Sequence, residues 1–305
     1  DGTPPDLPAL PVQYADYAAW QRARLSGDVL RLQLEHWRER VAGAPAALDL
    51  PTDRARPAVQ TYAGAAHAFA LGDGLTAALR ATAREHGVTL AMLCLAAFHA
   101  VLARHSGQRD IVLGLPIANR LRTEVEGLVG MFVNTLALRV DAADDPPFSE
   151  LLARVQRACL DAYDHQELPF EKLVEELEPE RDLSRTPLFQ VLFSMNAART
   201  TELAAGGLRL RVLPFEVTRV RFDLELHLFE GAVDVDALLA FNTDLFDAAT
   251  AARLAAHLRL LLESAVADPQ ARVSALPMLP DAERTALLGE WGGARAAYPK
   301  GACLH

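Results

Sequence analysis

The sequence predicts an α/β fold in the broad sense (α+β): a mixed sheet packed with helices. Two observations carry this. Apolar residues recur at helical spacing in some segments and alternate in others, and the two periods interchange along the chain. The length, 305 residues of which 51% are hydrophobic, suffices to bury one large core or two modest ones.

The elements follow in order. Three prolines among the first ten residues read as an extended connector. Helices are predicted over 14–24 and 30–41, the second with Leu30, Leu34, Trp37 and Val41 along one face. The Pro-rich LPTDRARPAVQ is irregular, and a strand over 66–71 breaks at Gly72 and Gly74. Helices are predicted over 76–85 and 90–104, the latter so apolar that it is expected to be buried. Strands over 110–115 and 132–140 precede a long amphipathic helix over 148–165. A further helix over 170–177 follows Pro169 at its start. Strands are predicted over 189–194, 208–213, 222–230 and 238–242. A helix over 248–267 stops at Asp268-Pro269, and the weaker periodicity from Gln270 onward reads as a connector. No internal repeat is visible.

Composition excludes several classes of function. A net charge of −10 opposes nucleic-acid binding, which needs a basic field over the phosphates. No apolar run reaches the length of some 18 residues that a transmembrane helix needs, so no membrane partner is expected. The N-terminus has neither the basic nor the apolar region of a signal peptide, and a cytoplasmic location is expected. Cys94, Cys159 and Cys303 are too few and too scattered for a disulfide framework or a structural zinc site, and no metal is expected. Cys94 and Cys159 lie in apolar helical patterns and read as buried, inert thiols.

Nine histidines offer candidate bases, none with a local nucleophile or carboxylate signature. His99 and His105 read as core or helix-terminal residues, and His36 beside Trp37 as structural. His165 suits a helix C-terminus. His227 alternates within a strand and points into either a core or a cleft.

Four segments rise above this background. Residues 11–22 (PVQYADYAAWQR) set Tyr14, Tyr17 and Trp20 at helical spacing around Asp16, and read on their own as an anchoring amphipathic helix. Residues 129–139 (VGMFVNTLALR) place Asn134-Thr135 where a strand begins, as a turn cap or a cavity lining. Residues 165–196 join a helix, a charged turn with Asp182, Ser184 and Arg185, and a strand. RFDLELHLFE opens a strand with Asp223 beside Phe222.

In this order and at these spacings, the segments resemble the later signature motifs of nonribosomal peptide synthetase condensation domains. Tyr14-Ala15-Asp16-Tyr17-Ala18-Ala19-Trp20-Gln21 resembles Y-x-D-Y-A-x-W-Q. Gly130-Met131-Phe132-Val133-Asn134-Thr135 resembles G-x-F-V-N-T. Residues 165–171 resemble H-Q-x-x-P-F-E, and residues 181–190 resemble R-D-x-S-R-x-P-L-F-Q.

The resemblance implies a two-lobed chloramphenicol-acetyltransferase-like fold with the active site in a tunnel between the lobes. It also implies amide formation between donor acyl or peptidyl and acceptor aminoacyl thioesters on phosphopantetheine arms. No cofactor is then bound directly. The implied partners are the N-terminal lobe, the donor and acceptor carrier domains and a downstream adenylation domain. The family's base is a histidine of H-H-x-x-x-D-G on the first lobe. No His-His pair occurs here, so that lobe is expected to lie outside this chain.

Residues 1–24 are then a connector and helix from the first lobe, 25–269 the C-terminal lobe, and 270–305 the start of a linker toward adenylation. By the same resemblance, Gly130, Phe132, Asn134 and Thr135 belong to the tunnel's floor loop, with Asn134 and Thr135 facing it. Ser194 and Asn196 line the acceptor side. Asp16, Trp20, Phe222 and Asp223 belong to the latch and lobe interface, and a latch strand lies within 209–223. Two other readings remain open: a non-catalytic platform that binds carrier proteins or a tailoring enzyme, and an epimerization domain, which FVNT and SRTPLFQ fit less well.

Overall fold

The computed structural model describes residues 8–177, 182–198, 202–205, 207–211 and 216–290. Two helices, α1 (Tyr14–Arg24) and α2 (Gly27–Val41), precede β1 (Gly64–Ala70), α3 (Asp73–Glu85) and α4 (Leu90–Ser106). The hairpin β2 (Asp110–Ile117) and β3 (Asn134–Asp141) leads to α5 (Phe148–Asp164) and α6 (Phe170–Leu177). Strands β4 (Val191–Ala197), β5 (Glu202–Ala205), β6 (Leu208–Arg211), β7 (Leu224–Glu230) and β8 (Val235–Asn242) follow. Two α-helices follow, α7 (Ala248–Ala267) and α8 (Asp281–Thr285), and a π-helical turn over Ala286–Glu290 ends the described order.

Six strands form one mixed sheet in the order β1-β8-β7-β4-β2-β3. Its centre is parallel, β4 lying between β2 and β7, and the remaining pairs are antiparallel. β5 and β6 make a separate two-stranded ribbon. One face of the sheet lies under a helix layer in which α4 packs between α5 and α7. The predicted burial of α4 holds, from Leu90 to Ala103 without a break except Ala91. Its N-cap, Thr89, accepts from the backbone N–H of Met92 at 3.1 Å. Among the described residues no single helix is long and apolar enough to cross a membrane.

Three strands, β3, β4 and β7, begin two residues later than their pattern predicts, and in the first two an aromatic leaves the ladder to fill a gap elsewhere. Phe132 turns into a small cluster with Val125 and Leu128, so β3 starts at Asn134. Phe189 lies over Gly114, where a Cβ would come within 2.2 Å of its ring, so β4 starts at Val191. The core also runs past Asp268: Val273, Leu276 and Met278 are buried within it. Burial pushes the Cys94 and Cys159 thiols up to about 12, which keeps both protonated and unreactive.

His99 lies fully inside, donating from Nε2 to the carbonyl of Val140 at 2.9 Å, a structural contact. Burial pushes it down to about 4. His105 is pushed down to about 4 by burial and by neighbouring His257, 3.0 Å away, which in turn meets Glu283 at 2.7 Å. Both folded values lie below the ordinary 6.5, so protons favour the unfolded chain. This contribution to stability is complete above pH 6.5 and is lost as pH falls from there toward 4. Urea midpoints measured across this window should fall, and less steeply in His105→Gln. Parallel curves for the two proteins would refute the assignment to His105.

Candidate functional site

Strand alternation and register define two sheet faces. Phe193 of β4 meets Phe98 of α4, with ring centroids 6.3 Å apart, so Leu192, Ser194 and Asn196 point to the face away from the helix layer. Register sets Ser194 beside His227, His227 beside Leu238, and Leu238 beside Ala68. The β2–β3 end of this face is covered by Phe189 and by the end of α2, whose Arg40 and Ala42 carbonyls accept from Arg139. At the other end Asn196, Asp236 and Ala68 are exposed.

A polar chain crosses that exposed end. Ser194 Oγ lies 2.8 Å from His227 Nδ1, and His227 Nε2 lies 3.1 Å from Glu225 Oε2. Asn196 Nδ2 donates to Ser194 Oγ at 3.3 Å. Burial alone would raise the Glu225 carboxyl. The hydrogen bond from His227 and the backbone N–H groups of Arg221 (2.7 Å) and Phe222 (3.2 Å) outweigh it and hold the group below its ordinary range. Glu225 is therefore a carboxylate that accepts from His227 Nε2, while His227 Nδ1 pairs with the Ser194 hydroxyl. The side chains of Glu225 and His227 are 15% and 25% exposed, so the relay reaches solvent. Carboxylate, imidazole and hydroxyl in series can orient an incoming amine and take up its proton. Ser194 and Asn196 were expected on an acceptor side, and the structure joins them to His227. Glu225 was not, though E-x-H within one strand places both side chains on one face.

The residues expected in a floor loop are tied to their own neighbours. Asn134 is buried, and its amide donates to the carbonyls of Gln166 (3.0 Å) and Leu168 (2.8 Å). Its Oδ1 accepts from the N–H groups of Thr135 (2.9 Å) and Phe170 (3.0 Å). With every side-chain polar atom spent on backbone, Asn134 clamps β3 to the turn before α6. Phe132 is likewise turned inward, with the Arg120 guanidinium 4.1 Å from its ring centroid. The loop residues that point outward are Val129, Met131 and Val133. Gly130 lets the Tyr14 ring close on the loop, for a Cβ there would lie 2.3 Å from it. Tyr14 donates to the Met131 carbonyl at 2.7 Å, and α1 is thereby seated on the loop. Asp16 accepts from Gln13 N–H at 2.8 Å and caps its own helix, while Trp20 stacks under Arg122.

Phe222 and Asp223, expected at the latch, are both engaged by neighbours within this chain. Phe222 stacks on Phe189 at 5.3 Å, and Asp223, buried, receives both guanidinium nitrogens of Arg56. Of the expected latch strand, residues 212–215 lie outside the described residues, as do Arg181 of the charged turn and 291–305 of the expected linker.

Comparison with known proteins agrees with the resemblance. The condensation domain family matches residues 2–288. The chain is 46% identical over 308 residues to a linear gramicidin synthase polypeptide of Brevibacillus parabrevis, covering all of this chain and 4% of that protein. It is 44% identical over 279 residues to phosphinothricin tripeptide synthetase PhsC of Streptomyces viridochromogenes, covering 91% of this chain and 26% of the synthetase. Among solved structures, the complex of the X-domain and OxyB from teicoplanin biosynthesis gives a TM-score of 0.83 at 33% identity, covering 92% of this chain and 63% of that one. The four-domain nonribosomal peptide synthetase AB3403 gives 0.82 at 27% identity, covering 88% and 22%. The chain thus spans a small fraction of the synthetases it matches and just under two thirds of the X-domain chain. The six-stranded mixed sheet is the chloramphenicol-acetyltransferase-like fold of these domains. The chain belongs to the condensation domain family.

Proposed function

We propose that this chain supplies one wall of a site that joins two carrier-bound thioesters through an amide bond in nonribosomal peptide synthesis. The amine of an acceptor aminoacyl thioester attacks the carbonyl of a donor acyl or peptidyl thioester. The new C–N bond forms as the C–S bond breaks, the donor pantetheine sulfur leaves as a thiol, and the attacking nitrogen gives up a proton. Both pantetheine arms belong to partner carrier domains, and a downstream adenylation domain would load the acceptor. By family resemblance the principal base is a histidine of a motif this sequence does not contain.

The relay on the exposed end of the sheet carries this reading. A hydroxyl backed by imidazole and carboxylate is suited to hold an ammonium and ease its proton away. The test uses the complete synthetase with loaded donor and acceptor carriers, and dipeptidyl thioester formation is read by intact mass. His227→Ala should slow product formation by about 10-fold or more, short of the about 100–10,000-fold of a principal general base. Wild-type rates in both Ser194→Ala and His227→Ala would remove the relay from the reaction.

A second reading rests on the likeness to an X-domain solved together with OxyB: a platform for a tailoring enzyme. No dipeptidyl thioester from the loaded wild-type synthetase would favour it.

A further inference from the structure

His165 opens one of the sequence motifs, yet neither the floor clamp nor the relay uses its ring. It lies one helical turn beyond Asp161, on the same face at the end of α5. Trp37 fixes the turn by donating from Nε1 to the His165 carbonyl at 3.0 Å, which brings the adjacent His36 of α2 against the same spot. The two imidazoles stack, with centroids 3.4 Å apart and planes 4° from parallel. One ligand atom from each of His36, Asp161 and His165 falls within 4.8 Å of the other two.

We propose that His36, Asp161 and His165 bind a first-row transition-metal dication, foremost Zn2+, at the corner where α2 meets the end of α5.

Two features support it beyond proximity. His165 Nδ1 donates to the Asp161 carbonyl at 3.0 Å, the outer hydrogen bond that orients a metal-binding imidazole and leaves Nε2 with its lone pair. His36 Nε2 is enclosed without a hydrogen-bond partner, 3.3 Å from Asp161 Oδ2. Two imidazolium ions could not share this spacing without strong repulsion, whereas one dication serves both rings and the carboxylate. Two nitrogens and one oxygen suit Zn2+, Co2+, Ni2+ or Cu2+ and not the oxygen-seeking Mg2+ or Ca2+.

Arg40 opposes the cation, its Nε lying 2.8 Å from Asp161 Oδ2. Asp161 can keep that contact through one oxygen and ligate through the other, and the rings must turn from parallel for their lone pairs to converge. The side chains of His36 and Asp161 are 15% and 30% exposed, so an ion and a water in the fourth position can enter. A bound ion would staple α2 to the turn whose Gln166 and Leu168 carbonyls hold Asn134.

The experiment takes the full chain, stripped by chelator and dialysed, and titrates it with ZnCl2 by calorimetry and with CoCl2 by visible absorption. Mg2+ is the control. Wild type should gain one Zn2+ site that Mg2+ does not fill. His36→Gln and His165→Gln should each weaken it by more than the roughly 10–100-fold that losing an outer hydrogen bond costs. Arg40→Leu should tighten it. If His165→Gln fails to fold, the partly exposed His36→Gln and Arg40→Leu decide. Equal Zn2+ affinity in wild type and His36→Gln would overturn the proposal, as would no uptake by wild type. Amide formation plays no part in the readout, so the outcome is independent of the function proposed above.

Discussion

Asp223→Asn should lower stability by about 3–5 kcal/mol, seen as a shift of the urea midpoint at constant slope. Asp223 sits immediately before β7 with its side chain 5% exposed, and Arg56 reaches it as a two-pronged donor, one contact at 2.9 Å. The same guanidinium donates to the Ser184 carbonyl at 3.1 Å. The backbone of Asp223 also donates to Gln190 and accepts from Asn242, so one residue ties three chain segments together. Breaking such a pair from one side strands the other charge in the interior, and that stranded charge is the origin of the loss. The double variant Arg56→Met/Asp223→Leu should therefore recover much of the stability. An ion pair replaced whole by apolar groups is often neutral or better. A single variant as stable as wild type would show that Arg56 finds water when its partner is lost.

The regular scaffold was legible in the sequence, and the site less so. Helical period plus a clear stop placed α1, α6 and α7 at their observed limits, because their faces and breakers are local properties. β5 was missed: a four-residue strand offers too few alternations to see. Phe132 and Phe189 fit the alternation of strands that they do not join, since each answers to a cavity made by distant residues. The relay shows the same divide. Glu225 and His227 alternate within one strand, but Ser194 reaches them only because β4 lies parallel to β7, a pairing that no local pattern encodes. His36 stands more than a hundred residues from Asp161 and His165, so spacing rules for metal ligands pass over it.

Asn134 gives the sharpest test of what the floor loop is for. The resemblance placed its side chain toward a tunnel, where a bulky Leu would obstruct substrates and leave the fold alone. The structure gives it four hydrogen bonds to backbone groups instead. Leucine is near in size but can form none of them. Two carbonyls and two N–H groups would lose their partner, at about 1–3 kcal/mol for each that water cannot reach. Asn134→Leu should thus lose at least about 3 kcal/mol in urea unfolding. Asn134→Asp separates the causes further. It keeps both accepting contacts but sets a carboxylate against the Gln166 and Leu168 carbonyls, so it should also unfold early and recover at acid pH, where the protonated group can donate again. Obstruction predicts the opposite ordering, with turnover slowed by Leu, spared by Asp, and native stability in both. If the two variants melt with wild type while only Leu slows the reaction, the clamp is refuted and the side chain faces the tunnel after all.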